Sequence, residues 1–229
     1  MAEADPRATY AVDGVAFDLD GTLLDTIHDL AAAVNALMVE LGHAPLPVAT
    51  VRDFVGKGMP NLLQRALAMR GAPADEAAVL AHLPRYQAIY GALLGRETLL
   101  FPGVVEGLTR MRDAGLKLAV VTNKATKFVQ PHLDRAGIAP FFDAIVGGDD
   151  AVRKKPDAAP MLLAAERLGV APSRLMMVGD SGNDVASARA AGSPVLVVPY
   201  GYTEGRPVQS LGADGIVDSL VVVAELVRR

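Results

Sequence analysis

The sequence contains no cysteine in its 229 residues. Disulfides, zinc–thiolate sites and cysteine nucleophiles are therefore excluded. It also lacks an excess of basic charge, since 22 Lys and Arg stand against 26 Asp and Glu, for a net charge of −4. This balance gives no basic surface for nucleic acid. No window approaches the roughly 18 uninterrupted apolar residues of a membrane span. We therefore expect neither a nucleic acid nor a membrane as partner.

The beginning of the chain, residues 1–6, is acidic and lacks the apolar stretch that a secretory signal requires. We therefore expect a protein of the cytoplasm. Hydrophobic residues make up 51% of the chain, which is enough to form a core. The length fits one large α/β domain or a core with a smaller insert. The sequence leaves open whether the protein is a monomer or a homodimer.

Short apolar runs alternate with helical patterns along most of the chain. Strands are predicted at residues 12–17, 116–121, 142–146, 174–178, 195–198 and 215–217. Helices are predicted between or after them at 126–136, 158–168, 183–191 and 219–227. This alternation, with strands that are apolar almost throughout, predicts an α/β fold with a Rossmann-like parallel sheet and helices on both faces.

Residues 26–94 break this alternation. Apolar residues recur at helical spacing from 31 to 41, and two further helices are predicted at 59–69 and 75–94. Pro84 is expected to kink the last helix or to divide it in two. We therefore predict an all-helical cap domain, residues 26–94, inserted into an α/β core formed by 1–25 and 95–229. The hinges would lie near Asp25-Thr26 and Gly95-Arg96.

Two aspartates follow the first predicted strand. Asp18 and Asp20 are two residues apart, so in an extended chain their side chains point the same way. Two carboxylates directed into one space repel each other unless a cation lies between them, and oxygen ligands suit Mg²⁺. The alternative is an ordinary Asp-Gly turn after a strand.

Polar residues also follow three later strands. Thr122 and Asn123 follow the second, Lys155 lies in the loop after the third, and Asp180 and Asp184 follow the fourth. Each has a simpler interpretation, as a helix cap, a solvated basic residue or a turn into a helix. However, all four groups lie at the carboxyl ends of strands in one predicted sheet, where open parallel sheets bind ligands.

These segments resemble, in order, the four motifs of the haloacid dehalogenase superfamily of phosphohydrolases. The motifs are Asp18-Leu19-Asp20-Gly21-Thr22, Thr122-Asn123, Lys155-Pro156 and Gly179-Asp180-Ser181-Gly182-Asn183-Asp184. The resemblance covers nearly the whole chain and implies a Mg²⁺-dependent phosphomonoesterase that forms an aspartyl-phosphate. The helical insert looks like the small cap of the subgroup that includes phosphoglycolate phosphatases. The resemblance thus implies a small phosphorylated metabolite as substrate, with 2-phosphoglycolate, cleaved to glycolate and phosphate, as the first expectation.

The resemblance also implies a role for each motif residue. Asp18 would be the nucleophile and a metal ligand, while Asp20 would be the general acid and base and would bind the metal through its backbone carbonyl. Asp180 would be a further ligand. Asp184 would bind the metal or orient the groups that do. The remaining motif residues would contact the phosphoryl group, and they are Thr122, Asn123 and Lys155.

Within the insert, Gly56-Lys57-Gly58 resembles the substrate-specificity loop of such caps. Lys57 is a candidate contact for the substrate's carboxylate, and the alternative is an exposed, mobile lysine. Arg65 is a second candidate, with a helix-surface role as its alternative. Other substrates with the same chemistry are a sugar phosphate, pyrophosphate or the substrate of a hexose-phosphate mutase. A phospho-accepting receiver module is disfavoured, because receivers have no helical insert after the first strand.

Overall fold

The structure, a computed structural model, describes residues 9–229. Residues 1–8 lie outside the described residues. They include the acidic beginning of the chain, which was predicted to lack a secretory signal, and the first part of the predicted core. The strands are β1 (Tyr10–Ala11), β2 (Gly14–Phe17), β3 (Leu24–Asp25), β4 (Leu99–Leu100), β5 (Lys117–Val121), β6 (Ala144–Val146), β7 (Leu175–Gly179), β8 (Val195–Val197), β9 (Gly215–Ile216) and β10 (Val227–Arg228). The α-helices are α1 (Ile27–Glu40), α2 (Val48–Arg52), α3 (Met59–Met69), α4 (Glu76–Leu93), α5 (Val104–Asp113), α6 (Thr126–Arg135), α7 (Ala159–Leu168), α8 (Gly182–Ala191) and α9 (Leu220–Leu226).

Six of the strands form one parallel sheet in the order β6-β5-β2-β7-β8-β9. The predicted parallel α/β fold is confirmed. Strand β2 lies in the middle, with β5 on one side and β7 on the other, so strand order reverses there. Phe17 pairs with Val120 on β5 and with Val178 on β7, so the three chains leave the sheet at nearly the same level. The residues that follow these strands therefore meet above the middle of the sheet.

The side chains of the buried strands alternate between two apolar layers. Val15 and Phe17 point into the layer covered by α5, α6 and α9, whereas Ala16 points into the layer covered by α7 and α8. Both layers are fully excluded from solvent at these positions. Helices on both faces explain why the strands are apolar almost throughout instead of alternating with polar residues.

Helices α1 to α4 lie between β3 and β4, inside the range predicted for the cap. Their apolar faces form a second cluster, which includes Leu37, Leu63 and Tyr90 together with Phe128 and Tyr202 from outside the helical segment. Strands β3 and β4 pair antiparallel, so the two connections between this helical segment and the sheet run side by side. The division into a core and a cap domain with boundaries at residues 25 and 95 stays a prediction.

The structure adds several elements that the sequence patterns did not predict. Helices α2 and α5 and the short pairs β1–β10 and β3–β4 are among them. Helix α4 continues through Pro84 as one element, so the helix is not divided there, and the kink expected at Pro84 stays a prediction. Within the described residues, no helix combines the length and apolarity that crossing a membrane would need.

Candidate active site

Asp18 follows β2 and lies on the floor of a pocket between the sheet and the helical segment. Its Oδ1 accepts a hydrogen bond of 2.7 Å from the backbone N–H of Leu19 and lies 3.0 Å from Nζ of Lys155. Burial raises the pKa of Asp18 to about 6, and the charges of Asp184 and Asp20 add to this, while Lys155 opposes it. A carboxylate held in this way carries a charge that a cation or an electrophile would stabilise.

Lys155 is a buried cation that links the carboxylates of Asp18 and Asp184. Besides its contact with Asp18, Nζ donates to Oδ1 of Asp184 at 2.6 Å and to the carbonyl oxygen of Val121 at 2.7 Å. Burial alone would lower the pKa of Lys155, but the charges of Asp18 and Asp184 raise it above its ordinary value. The lysine is therefore charged and fixed beside Asp18.

Asp180 is placed by groups on two other segments. Its Oδ1 accepts a hydrogen bond of 2.9 Å from the hydroxyl of Thr22, and its Oδ2 accepts one of 2.5 Å from the backbone N–H of Tyr202. Burial, together with the charges of Asp184 and Asp18, raises the pKa of Asp180 well above its ordinary value. Gly21 has a φ of 91°, and a Cβ there would collide with the Asp180 carboxylate, so only glycine fits.

Asp184 lies in the first turn of α8 and orients its surroundings. Its Oδ2 accepts hydrogen bonds from the backbone N–H and the hydroxyl of Ser181, at 2.9 and 2.7 Å, and from the backbone N–H of Asp180 at 3.2 Å. Its Oδ1 accepts from Lys155, as described above. Asp184 thus connects two parts of the site, which are the loop that contains Asp180 and the side chain of Lys155 beside Asp18.

Carboxylate oxygens of Asp18, Asp180 and Asp184 lie within 4.8 Å of one another. With Asp20, the pocket floor holds four carboxylates against the two ammonium groups of Lys155 and Lys124. With all four carboxylates ionised, two negative charges remain, and one divalent cation would balance them. Buried oxygen ligands with this excess of negative charge fit Mg²⁺.

Thr122 and Asn123 follow β5 and lie beside Asp18. The side-chain N–H groups of Asn123 donate to the carbonyl oxygens of Lys155 and of Gly56, both at 2.9 Å, and its Oδ1 accepts from the backbone N–H of Lys155 at 3.0 Å. Asn123 therefore joins the lysine loop of the sheet to the helical segment. The hydroxyl of Thr122 accepts a hydrogen bond of 3.2 Å from the backbone N–H of Lys124 and lines the pocket.

Lys124 is a pocket residue that the sequence did not single out. Its Nζ donates to Oδ1 and Oδ2 of Asp20 at 2.9 and 3.1 Å and to the hydroxyl of Tyr90 at 2.6 Å. Burial would raise the pKa of Asp20, but the nearby charge of Lys124 holds it below its ordinary value. Its position two residues after Thr122, at the end of β5, was the available sequence signal.

The pocket holds about 450 Å³ of space, part of it open to solvent. Its lining residues from the sheet side are polar or charged, and they are Asp18, Asp20, Thr122, Asn123 and Lys124. Its lining residues from the helical segment are Leu30, Val55, Gly56, Gly58, Met59 and Leu62. The structure thus brings the predicted motif residues together with Gly56 and Gly58 of the predicted loop.

The two cations predicted in the helical segment face other groups. Nζ of Lys57 lies 2.8 Å from Oε2 of Glu204, and the side chain of Lys57 is 49% exposed. Arg65 donates to the carbonyl oxygen of Asp53 at 2.6 Å, and its guanidinium lies over the ring of Phe54, 4.4 Å from its centre. Neither lines the pocket. Their predicted contact with a substrate would require these interactions to break.

The chain is similar in sequence and in structure to known proteins of one family. The family model of the haloacid dehalogenase-like hydrolases matches residues 12–192. The phosphoglycolate phosphatase of Nitrosospira multiformis is 45% identical over 220 residues, 95% of this chain and 96% of the relative. That of Caulobacter vibrioides is 44% identical, covering 91% and 88%. A crystal structure from Haemophilus somnus 129PT, described as a predicted phosphoglycolate phosphatase, superposes with a TM-score of 0.87 at 32% identity, covering 93% and 96%.

Proposed function

Because this chain belongs to the haloacid dehalogenase-like hydrolase family, we propose that it hydrolyses a small phosphate monoester through an aspartyl-phosphate on Asp18. The observation that carries the proposal is the pairing of Asp18 with the buried Lys155 on the floor of a pocket that Asp20 also lines. A nucleophile, a fixed cation and a second carboxylate are the groups that phosphoryl transfer to a protein side chain requires.

In the first step, the Asp18 carboxylate attacks the phosphorus atom and the bond from phosphorus to the leaving oxygen breaks. The negative charge of the bound phosphate opposes the effect of Lys124 and favours the protonated form of Asp20. Asp20 then gives its proton to the leaving oxygen, so the product leaves as an alcohol. Lys155 lies where it reduces the repulsion between the carboxylate and the phosphate dianion. The pocket surface around Thr122 and Asn123 receives the phosphoryl oxygens.

In the second step, water attacks the phosphorus atom of the aspartyl-phosphate and the bond to Asp18 breaks. Asp20, now ionised, takes the proton from the attacking water, which restores both aspartates and releases phosphate. The pocket position of Asp20 serves both steps, because the leaving oxygen and the water occupy the same side of the phosphorus atom.

The cluster of Asp18, Asp180 and Asp184 fits a Mg²⁺ ion, with the backbone carbonyl of Asp20 as a further proposed ligand. Bound there, Mg²⁺ would neutralise part of the negative charge that otherwise opposes attack. Asp184, whose two oxygens already accept from Lys155 and Ser181, would hold the site mainly by orienting its neighbours.

We propose 2-phosphoglycolate as the substrate, because relatives that are 40% or more identical over most of the chain bear the name phosphoglycolate phosphatase. The cap side of the pocket, formed by the helical segment, offers the side chains of leucine, valine and methionine residues and the backbone of two glycines. These side chains limit the space beside the phosphate, which suits a compact substrate. We further propose a cytoplasmic protein that needs no nucleic acid. A monomer and a homodimer are both compatible with a pocket built from one chain.

The proposal is tested with purified protein, Mg²⁺ and a panel of phosphate esters, with phosphate release as the measurement. We expect 2-phosphoglycolate to give a higher kcat/KM than glucose 6-phosphate or pyrophosphate. Asp18→Asn should lower kcat on the order of 10⁴-fold or more, because removing a nucleophile has effects of this size. The exposed Asp113, on α5, provides the control Asp113→Asn, which should retain activity.

Two results would contradict the proposal. Substantial turnover by folded Asp18→Asn would remove Asp18 as the nucleophile. Isomerisation of a sugar phosphate without release of phosphate would show a mutase instead of a hydrolase.

A further inference from the structure

Lys124 is a buried lysine whose side chain is fully engaged inside the pocket. Only 4% of the residue is exposed. An ammonium group has three hydrogens to donate, and the contacts of Nζ account for all of them. Two go to the carboxylate oxygens of Asp20, at 2.9 and 3.1 Å, and the third goes to the hydroxyl of Tyr90 at 2.6 Å. Lys124 therefore has no free donor for a phosphate, unlike a lysine that binds substrate.

The third partner of Lys124 comes from the helical segment. Tyr90 lies on α4 and is completely buried, with its ring against Tyr86 and edge-on to Phe128. Its ring centre lies 4.9 Å from Nζ of Lys124, so the ring as well as the hydroxyl faces the cation. The packing of α4 thus fixes one side of the lysine, and the lysine fixes Asp20.

We propose that Lys124 is a positioning residue for Asp20, and that Tyr90 makes this positioning depend on how the helical cap packs against the sheet. The proposal rests on the proton-transfer role given to Asp20 above. Without Lys124, the Asp20 carboxylate would face Asp18 and an incoming phosphate dianion with no cation to hold it in the pocket. With Lys124, the negative charge that Asp20 acquires as its proton passes to the leaving oxygen develops beside a fixed ammonium group.

Lys124 and Lys155 would therefore have separate roles. Lys155 contacts Asp18 and Asp184, and Lys124 contacts Asp20. A loss of Lys124 should affect proton transfer to the leaving group, while leaving the nucleophile and its cation in place. This difference can be measured with leaving groups that do or do not need a proton.

The experiment compares kcat/KM for 2-phosphoglycolate, an alkyl phosphate, with kcat/KM for p-nitrophenyl phosphate, whose phenolate leaves without a proton. The ratio kcat/KM reports the steps up to departure of the leaving group, so the shared hydrolysis of the aspartyl-phosphate does not mask the comparison. For Lys124→Met we expect a fall of about 100-fold with the alkyl phosphate, the lower end of general-acid effects. The fall with p-nitrophenyl phosphate should be at least ten times smaller.

Lys127, which lies on α6 three residues after Lys124, provides a matched control. Its Nζ donates to Oε1 of Gln87 on α4 at 2.7 Å and lies over the ring of Phe128, so Lys127, like Lys124, contacts α4 from the sheet side. It is exposed and does not line the pocket. Lys127→Met should therefore lower kcat/KM for both substrates little and equally, which separates positioning of Asp20 from general attachment of the cap.

Tyr90→Phe is the second variant, because it removes only the hydroxyl and keeps the ring in the core. We expect a fall of about tenfold with the alkyl phosphate and a smaller one with p-nitrophenyl phosphate. Circular dichroism will show whether Lys124→Met folds. If it does not fold, the kinetics of Tyr90→Phe test the proposal in its place. Equal falls with both substrates, or no fall, in the folded variants would overturn the proposal.

Asp20→Asn separates this proposal from the proposed function. If Asp20→Asn affects the alkyl phosphate far more than p-nitrophenyl phosphate and the folded Lys124 and Tyr90 variants do not, only the positioning role is lost. If Asp20→Asn affects both substrates equally, Asp20 is not the general acid, and the proposed mechanism and the role of Lys124 are overturned together.

Discussion

The sheet side of the pocket presents charged and polar side chains, whereas the cap side presents apolar side chains and backbone. On the sheet side, Asp18 and Asp20 are each paired with a buried lysine. On the cap side, Leu62 and Met59 are buried, and the polar contribution is the backbone of Gly56 and Gly58. The proposed chemistry and the proposed selection of the substrate therefore involve different parts of one chain.

Few polar contacts join the two sides near the pocket. Asn123 donates to the carbonyl oxygen of Gly56, Lys124 donates to Tyr90, and Lys57 pairs with Glu204. The ends of β2, β5 and β7 fix the groups of the sheet side, and these groups contact mainly one another. Substitutions on the sheet side should therefore affect kcat and metal dependence, and substitutions on the cap side should affect KM.

The largest effect in this comparison is expected from Asp180→Asn. The variant removes one carboxylate from the proposed Mg²⁺ site and keeps the volume of the side chain. A bound metal contributes several kcal/mol to such reactions, so we expect kcat to fall on the order of 10³-fold. Activity measured against Mg²⁺ concentration should also show that the variant requires more metal.

The exposed Asp218, outside the pocket, provides the control Asp218→Asn, which should keep the wild-type dependence on Mg²⁺. Chelation with EDTA should stop wild-type turnover, and added Mg²⁺ should restore it. An enzyme indifferent to EDTA, or an Asp180→Asn variant with unchanged metal dependence, would show that the acidic cluster does not hold a metal.

A second effect is expected at the junction between the two sides, where His132 is completely buried on α6. The hydroxyl of Thr98 donates to Oδ2 of Asp29 on α1 at 2.7 Å, so it accepts the hydrogen of His132 Nε2 at 2.9 Å. Nδ1 then lacks a hydrogen, and it has no partner among the described residues. Burial, with the nearby charge of Lys124, lowers the pKa of His132 from 6.5 to about 4.

This shift makes stability depend on pH in a defined direction. Between pH 6.5 and about 4 the unfolded chain takes up a proton at this histidine and the folded protein does not. The contribution of His132 to the free energy of unfolding is therefore complete above pH 6.5 and falls by about 3 kcal/mol as the pH drops to 4.

Urea unfolding at several pH values measures the effect. Because Asp18 and Asp180 have raised pKa values and act in the opposite direction, the informative quantity is the difference between wild type and His132→Gln. We expect that difference to shrink as the pH falls from 6.5 to 4. His28→Gln, on the exposed face of α1, is the control and should follow the wild-type curve. A constant difference for His132→Gln would refute the assignment.

The sheet side could be predicted from the sequence far better than the cap side. Strand β2 and the residues after it form a local pattern, in which an apolar run ends in Asp18 and Asp20. Helix α5, which covers one face of the sheet, is an exception on this side, because it was not predicted although Val104, Leu108 and Met111 recur on one buried face. The two-residue strands of the β1–β10 and β3–β4 pairs were not predicted, because two residues are too few to show a periodic pattern.

The contacts between the two sides could not be predicted, because they join residues far apart in the chain. Tyr90 and Lys124 are 34 residues apart, and nothing in either local pattern indicates that they meet. Tyr202, whose hydroxyl donates to Asp25 at 2.6 Å and accepts from the backbone N–H of Thr26 at 2.8 Å, is 177 residues from Asp25. Such pairs depend on how the helical segment packs on the sheet.

The smallest effect is expected at the ion pair of Lys57 and Glu204. Glu204 has a φ of 54°, and its Oε1 also accepts a hydrogen bond of 3.0 Å from Asn183, so the core holds the carboxylate in place for Lys57. An exposed pair of this kind contributes about 1 kcal/mol or less. We therefore expect Lys57→Met, Glu204→Gln and the double variant each to raise KM for 2-phosphoglycolate about threefold, with kcat unchanged. Equal effects follow because each variant breaks the same interaction. If Lys57→Met instead raises KM more than tenfold while Glu204→Gln does not, Lys57 contacts the substrate, and selection on the cap side involves a charge as well as shape.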